Sequence, residues 1–152
     1  PLPETHVALP LCDTRTLLVA SPAYLNEQGI PRTPQDLAQH NCLYYPRGVE
    51  SPRWRFATTA DSEQVQVRIQ GSFATNNSES IRDAALQGLG IAMLPDFSAR
   101  EALAAGSLQQ VLPAWQPVEA FAARLWIVRP WAAQVPRAVT TFTHWLRARF
   151  DR

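Results

Sequence analysis

The segment with the most chemical interest is ATNNSESIRDAALQGLGIAMLP, residues 74–95, which joins a polar start to a G-x-G. A dinucleotide-binding loop places its glycines after a strand and at the start of a helix, where free N–H groups meet pyrophosphate. Here Gly88 and Gly90 follow a helical pattern and lead into an apolar run, and Met93 stands where a third glycine is needed. The glycines therefore indicate a helix end and a tight turn, and no nucleotide loop is predicted.

The polar start of this segment is the stronger candidate for ligand contact. Thr75, Asn76, Asn77 and Ser78 follow a strand-like segment and open the helical pattern. The first N–H groups of a helix have no partner within the helix, so such a place can bind a carboxylate or a phosphate. Asn77 or Ser78 acting only as a helix N-cap is the alternative, and the residues alone leave both interpretations open.

Catalytic and metal-binding residue patterns are weak in this chain. There is no G-x-S-x-G motif, and Ser21 stands before Pro22 as a helix N-cap does. The three histidines and two cysteines show no metal-ligand spacing. We therefore expect that the protein is not an enzyme and that it has no catalytic residue, no metal site and no cofactor. The nucleophile and base candidates considered were Ser21, Cys12, Cys42, His6, His40 and His144.

The composition excludes further classes of function. All 14 basic residues are Arg, so a P-loop lysine and a Schiff-base lysine are excluded. A net charge of +1 argues for neither a nucleic-acid binder nor a membrane-surface binder. Two cysteines without a C-x-x-C indicate reduced thiols and a cytoplasmic protein. A chain that opens on Pro1 without Met is expected to be a piece of something longer.

Apolar runs alternate with helical patterns along the chain. This alternation predicts an α/β fold with much parallel sheet. A helix starting with Ser98 as its cap is predicted from the capping-box spacing to Glu101. Buried strands are predicted at 15–20, 90–95 and 124–128, and a further strand at 42–46. A strand at WRFA, residues 54–57, is expected to be joined by a polar turn to a half-buried strand at 64–70. Helices are predicted at 21–29, 33–40, 78–89, 98–106 and 135–150.

The order of these motifs resembles the effector-binding domain of LysR-type transcriptional regulators. The resemblance is carried by RTLLVASPAYLNEQGIPRTPQDLAQHNCLYYP, by residues 74–115, and by RLWIVRP with the terminal VPRAVTTFTHWLRARF. It implies a periplasmic-binding-protein-like fold of two α/β subdomains joined by crossover strands, the first subdomain being incomplete. Residues 1–20 are then a remnant of the first subdomain, 21–112 the second, and 113–152 the return to the first with the C-terminal helix.

The resemblance also implies a function and a site. The expected function is a ligand-sensing regulatory domain that binds a small effector, such as a carboxylate or other anion, in the cleft between subdomains. DNA is then contacted only through a separate winged helix-turn-helix domain outside this chain, in a homodimer or homotetramer without membrane association. A periplasmic solute-binding protein of a transporter is the alternative. The effector-binding residues implied are Ser21, Pro22, Thr75, Asn76, Asn77, Leu94, Pro95 and Phe97.

Overall fold

The computed structural model describes residues 5–46, 52–58, 64–118 and 121–150, which fall into two compact units. The smaller unit is Pro1–Thr14 with Ala122–Arg152, and the larger is Arg15–Phe121. In chain order the elements are β1 His6–Asp13, β2 Thr16–Ala20, α1 Pro22–Gln28, a 3₁₀ helix Pro34–Gln39, β3 Cys42–Leu43, β4 Arg53–Thr58, β5 Gln64–Arg68, α2 Ser78–Leu86, β6 Ile91–Pro95, α3 Asp96–Ala104, β7 Gln109–Val111, β8 Trp115–Val118, β9 Arg124–Pro130 and α4 Arg137–Phe150.

The larger unit is built on a four-stranded sheet in the order β3-β6-β2-β7. β2 is antiparallel to both of its neighbours, β6 and β7, whereas β3 and β6 are parallel. The expectation of a mainly parallel sheet is therefore wrong. Alternation of strands and helices predicts the types of element, but one strand that runs opposite to the other three makes most pairs antiparallel.

Alternate residues of β6 pack on opposite faces of this sheet. Ala92 and Leu94 lie in a core with Ile81 and Ala85 of α2 and with Ala99 of α3. Burial of side chains of this size contributes about 1.5–3 kcal/mol for each Leu or Ile, so this core holds both helices against the sheet.

The opposite face packs on a second sheet in the same unit. Met93 shares a core with Trp54, Phe56 and Val67, which belong to the antiparallel three-stranded sheet β5-β4-β8. The predicted alternation in β5 is confirmed, since Val67 is buried between exposed Gln66 and Arg68. The turn expected between β4 and β5 includes residues 59–63, which lie outside the described residues.

The helix ends follow local rules, with one exception. Ser21 caps α1, Pro22 is its first residue, and Gly29 ends it at φ 86°, as predicted. The prediction that Ser98 caps α3 is wrong, because the helix begins at Asp96 directly after β6. Pro95, with φ −61°, already has the dihedral of a residue that leads into a helix, and this places Ser98 inside the first turn.

The smaller unit consists of one antiparallel strand pair and one helix. β1 pairs with β9 from His6 opposite Pro130 to Asp13 opposite Arg124, and α4 follows. The strand at RLWIV is confirmed, but its predicted burial is wrong, since Trp126 is 49% and Val128 45% exposed. No helix among the described residues has the length and apolar character needed to cross a membrane.

Candidate functional site

The four-stranded sheet has two ends that differ in what surrounds them. At the Pro95 end, Pro95 of β6 lies opposite Thr16 of β2, and α3 begins directly afterwards. At the Ile91 end, β6 and β3 begin side by side, with Ile91 opposite Cys42. A strand of five residues spans about 13 Å between its first and last Cα atoms, so the two ends form separate surfaces.

The segment Thr75–Asn77 lies at the Pro95 end. Tyr44 follows β3 and pairs in parallel with Ala74, and the N–H of Thr75 donates to the carbonyl of Tyr44 at 3.2 Å. Because β3 runs parallel to β6, residues beyond β3 lie towards Pro95. α2 therefore begins, at Ser78, at the same end of the sheet as α3.

Asn77 serves as the N-cap of α2. Its Oδ1 accepts the N–H of Glu79 at 2.9 Å and the N–H of Ser80 at 3.1 Å. Two of the N–H groups that we expected to be open to a ligand are therefore already satisfied. Asn76 is exposed, and its side chain makes no hydrogen bond within the part of the chain that the structure describes, so it is the better placed of the two amides to contact a ligand.

The segment LPDF contributes less surface than the sequence suggested. The side chain of Leu94 is fully enclosed in the core under α2 and α3, and Pro95 is buried. Phe97, in the first turn of α3, is 47% exposed. The Asp96 N–H donates to Arg15 O at 2.8 Å, and its carboxylate accepts the Phe97 N–H at 2.8 Å. Phe97 is thus the member of this segment that offers a face to a ligand.

Ser21 and Pro22 lie at the other end of the sheet. Because β2 is antiparallel to β6, the chain leaves β2 beside the start of β6, at the Ile91 end. Ser21 is buried there, its Oγ accepts the Tyr24 N–H at 3.2 Å, and it lies close to Gly88. The resemblance to the LysR-type effector domain implied one cleft for all eight residues. The structure brings six of them to the Pro95 end and places Ser21 and Pro22 at the opposite end.

The sequence did not single out Tyr45 and Thr16 at the Pro95 end. Tyr45 precedes Pro46 and is half-buried; its ring meets Phe121 edge-on, with centroids 4.9 Å apart. Burial raises the pKa of the Tyr45 hydroxyl, and a hydrogen bond with Ser78 partly opposes this shift. Thr16 is a buried polar residue opposite Pro95. The aromatic pair in LYYP was the available signal for Tyr45, but its position depends on the pairing of β3 with β6.

No group of three or more His, Cys, Asp or Glu side chains suited to a metal ion occurs among the described residues. The polar side chains around the two helix N-termini at the Pro95 end are hydroxyls and amides, together with the carboxylates of Glu79 and Asp96. Such an arrangement can hold a small polar molecule by hydrogen bonds.

The relatives that this chain resembles in sequence are transcriptional regulators. The probable HTH-type transcriptional regulator LtrA of Klebsiella pneumoniae is 40% identical over 132 residues, covering 87% of this chain and 41% of LtrA. The HTH-type regulator YhjC of Escherichia coli strain K12 is 34% identical over 146 residues, covering 95% of this chain and 48% of YhjC. The chain thus spans about half the length of the curated relatives it matches.

A solved structure and a family model agree with these relatives. The full-length virulence activator AphB of Vibrio cholerae, a member of the LTTR family, superimposes with a TM-score of 0.81 at 26% identity, covering 99% of this chain and 50% of that one. The predicted α/β fold of the periplasmic-binding-protein-like class is confirmed. The model of the LysR substrate binding domain matches residues 1–151, and the chain belongs to that family.

Proposed function

We propose that this chain is the ligand-sensing part of a LysR-type transcriptional regulator and that its effector binds at the Pro95 end of the larger unit. The observation that carries the proposal is the start of both α2 and α3 at this end, beside the exposed Asn76 and Phe97. Helix N-termini carry a positive partial charge and donor N–H groups, which favour a negatively charged or strongly accepting ligand.

The effector is proposed to be a small carboxylate of low total charge. Thr75 and Asn76 offer a hydroxyl and an amide as donors, and Phe97 offers an apolar face to the rest of the molecule. Glu79 and Asp96 stand in the first turns of α2 and α3, and their carboxylates repel additional negative charge. The helix N-termini attract one negative charge, whereas Glu79 and Asp96 oppose more. A single carboxylate on a small carbon skeleton therefore fits better than a phosphate or a polyacid.

Binding is proposed to act by a shift in population, with no bond made or broken. The effector stabilises one arrangement of the regulatory subdomains over another, and the coupling exists only if the two arrangements bind it unequally. We propose that the subdomains correspond to the two units of the chain. DNA contact is assigned to a separate winged helix-turn-helix domain of a cytoplasmic homodimer or homotetramer. The alternative of a periplasmic solute-binding protein is not favoured, since the relatives are transcriptional regulators.

The site is tested by calorimetry with a panel of small monocarboxylates on the full chain. We expect Asn76→Ala combined with Thr75→Val to weaken binding of the best acid by about tenfold, the effect of losing a hydrogen bond to a charged group. Asn26→Ala removes an exposed asparagine from α1 and is the matched control, expected to leave the affinity unchanged.

The regulatory function is tested separately in the full-length regulator. The same acid should change the affinity of that protein for its promoter DNA, and the double variant should require more acid for the same change. If the double variant binds the acid as tightly as the natural chain does, the proposed site at the Pro95 end is rejected. If the acid binds tightly but does not change the affinity of the full-length regulator for its promoter DNA, the sensing function is rejected.

A further inference from the structure

The Ile91 end of the larger unit contains an open depression of about 630 Å³. It is lined by the last turn of α1, the residues that follow the 3₁₀ helix, the segment 70–72, and the turn after α2 at Gly88 and Leu89. Its volume lies within the range of small-molecule sites, about 300–1,000 Å³. None of the residues proposed above for the effector at the Pro95 end lines it.

A largely buried histidine, with one ring nitrogen that has no partner among the described residues, lines this depression. His40 is only 7% exposed, and its Nδ1 lies 3.1 Å from the Tyr24 hydroxyl. That hydroxyl accepts the Asn41 N–H at 2.9 Å, so we assign its own proton to the bond with Nδ1. Nδ1 then accepts, and the neutral ring carries its proton on Nε2.

The Nε2–H of His40 is available to a ligand. It makes no hydrogen bond within the described part of the chain, and no fully enclosed side-chain nitrogen or oxygen there lacks a partner. Nε2 must therefore reach solvent, and the depression is the open surface that His40 lines. Burial lowers the pKa of His40, and the nearby Asp36 carboxylate only partly opposes this, so the ring is neutral at neutral pH.

The floor of the depression is held in place by contacts distant in sequence. The Asn41 amide donates to Leu89 O at 2.6 Å and to Ser72 Oγ at 2.9 Å, while its Oδ1 accepts the Ser72 N–H at 2.8 Å. All of these bonds join segments 31 or 48 residues apart. The floor is therefore preorganised, which reduces the entropy that a ligand would lose by ordering it.

The electrostatics of the depression favour a cation. α1, the 3₁₀ helix and α2 all end at its rim, and helix C-termini carry a negative partial charge from their last carbonyls. Among the described residues that line the depression, Glu27 has the one formally charged side chain, since none is an arginine or an aspartate and burial lowers the pKa of His40. A ligand that places an ammonium group beside Glu27 and an oxygen acceptor at His40 matches both features.

We propose that this depression is a second binding site, for a small molecule that carries an ammonium group and a hydroxyl or carbonyl oxygen. The ammonium lies beside Glu27 and the helix carbonyls, and the oxygen accepts from His40 Nε2–H. The site does not depend on the effector site proposed at the Pro95 end, because the two share no residue and favour ligands of opposite charge.

The proposal is tested with glucosamine as the probe, followed by amide chemical shifts of the full ¹⁵N-labelled chain. We expect saturable shifts at His40, Ser72 and Leu89, whereas glucose, which has the same ring without the ammonium, gives none. Glu27→Gln should weaken glucosamine binding roughly threefold to fivefold, the factor for an exposed ion pair. Glu101→Gln removes the same charge from the exposed surface of α3 and should have no effect.

A steric variant provides an independent test. Leu89→Trp places an indole at the rim of the depression and should abolish the shifts, whereas Ile30→Trp, an exposed position that does not line it, should preserve them. The spectrum of each variant shows whether it is folded. An absence of saturable shifts, equal shifts with glucose, or an affinity unchanged by Glu27→Gln overturns the proposal.

Discussion

The two ends of the four-stranded sheet differ in electrostatic character and in how they are held together. α2 begins at the Pro95 end and finishes beside the depression at the Ile91 end, so one helix contributes partial charges of opposite sign to the two surfaces. At the Pro95 end, Asn77 Oδ1 accepts the N–H groups of residues two and three positions later, while the backbone N–H groups of Thr75 and Asp96 donate to carbonyls in distant segments. The Ile91 end is organised by Asn41, which joins segments 31 and 48 residues away. At the first end the side chain of Asn77 caps a helix and that of Asn76 is left for a ligand. At the second end the side chain of Asn41 holds the fold, and those of His40 and Glu27 are left for a ligand.

The largest expected effect tests the close packing of the Ile91 end. A Cβ atom on Gly90 would lie 2.1 Å from the carbonyl oxygen of Asn41, a backbone atom that cannot move away alone. We expect Gly90→Ala to lower the free energy of unfolding by about 3 kcal/mol, the cost of forcing backbone apart in a packed region. Denaturant unfolding measures this difference.

Gly29→Ala is the matched control for this substitution. Gly29 has φ 86°, and a Cβ atom added to it would have no neighbouring atom within 4 Å. Only the backbone is therefore penalised, since φ 86° with ψ 165° is a conformation that glycine almost alone adopts, at a cost of about 2 kcal/mol. Equal losses in the two variants would contradict the close approach of residues 90 and 41.

Three asparagines allow the same substitution to be compared at both ends. Asn41→Ala removes three hydrogen bonds at the Ile91 end, and we expect a loss of about 2 kcal/mol. Asn77→Ala removes only the cap of α2, at about 1 kcal/mol. Asn76→Ala should change stability by less than about 0.5 kcal/mol, as for an exposed side chain without partners. A loss for Asn76→Ala as large as that for Asn41→Ala would remove the distinction between the two ends.

The smallest expected effect is a pH dependence of stability at the Ile91 end. Burial lowers the pKa of His40 in the folded state, so below its ordinary value near 6.5 the unfolded chain binds a proton that the folded chain does not. Stability therefore falls as the pH decreases from about 6.5 towards the lower folded pKa. Asp36 raises the pKa of His40 and only partly opposes this trend.

The measurement is the melting temperature as a function of pH for the natural chain and for His40→Gln. The difference between the two curves should change below about pH 6.5. A constant difference between the His40→Gln and natural curves would show that His40 titrates alike in the folded and unfolded states.

Local features of the fold could be predicted from the sequence. The Ser21-Pro22 start and Gly29 end of α1 are set by the side chain and backbone of the residues themselves, and they are confirmed. The alternation in β5 likewise depends only on its own residues. Ser98 shows the limit of such rules, because its spacing to Glu101 suits a capping box while the chain enters α3 two residues earlier.

Features that depend on pairing between distant segments could not be predicted. The reversed direction of β2 moves Ser21 and Pro22 away from Thr75 and Phe97, and no residue within β2 signals its direction. The Asn41 contacts were missed for the same reason, since Ser72 and Leu89 are ordinary loop residues in sequence. The resemblance to a known family supplied the fold class, but it did not supply the position of each residue at a given end of the sheet.

The two cysteines differ in burial, so their reaction rates report on local opening of the fold. Cys42 is fully enclosed in β3, its thiol contacts Leu37 O at 3.6 Å, and burial raises its pKa to about 12. Its reaction with an alkylating reagent therefore requires the larger unit to open, so the rate measures that opening. Cys12, half-buried in β1, belongs to the smaller unit. Because Cys12 is already partly exposed in the folded chain, its alkylation is an internal reference, and mass spectrometry of the same molecule times the opening of the larger unit at Cys42 with or without ligand.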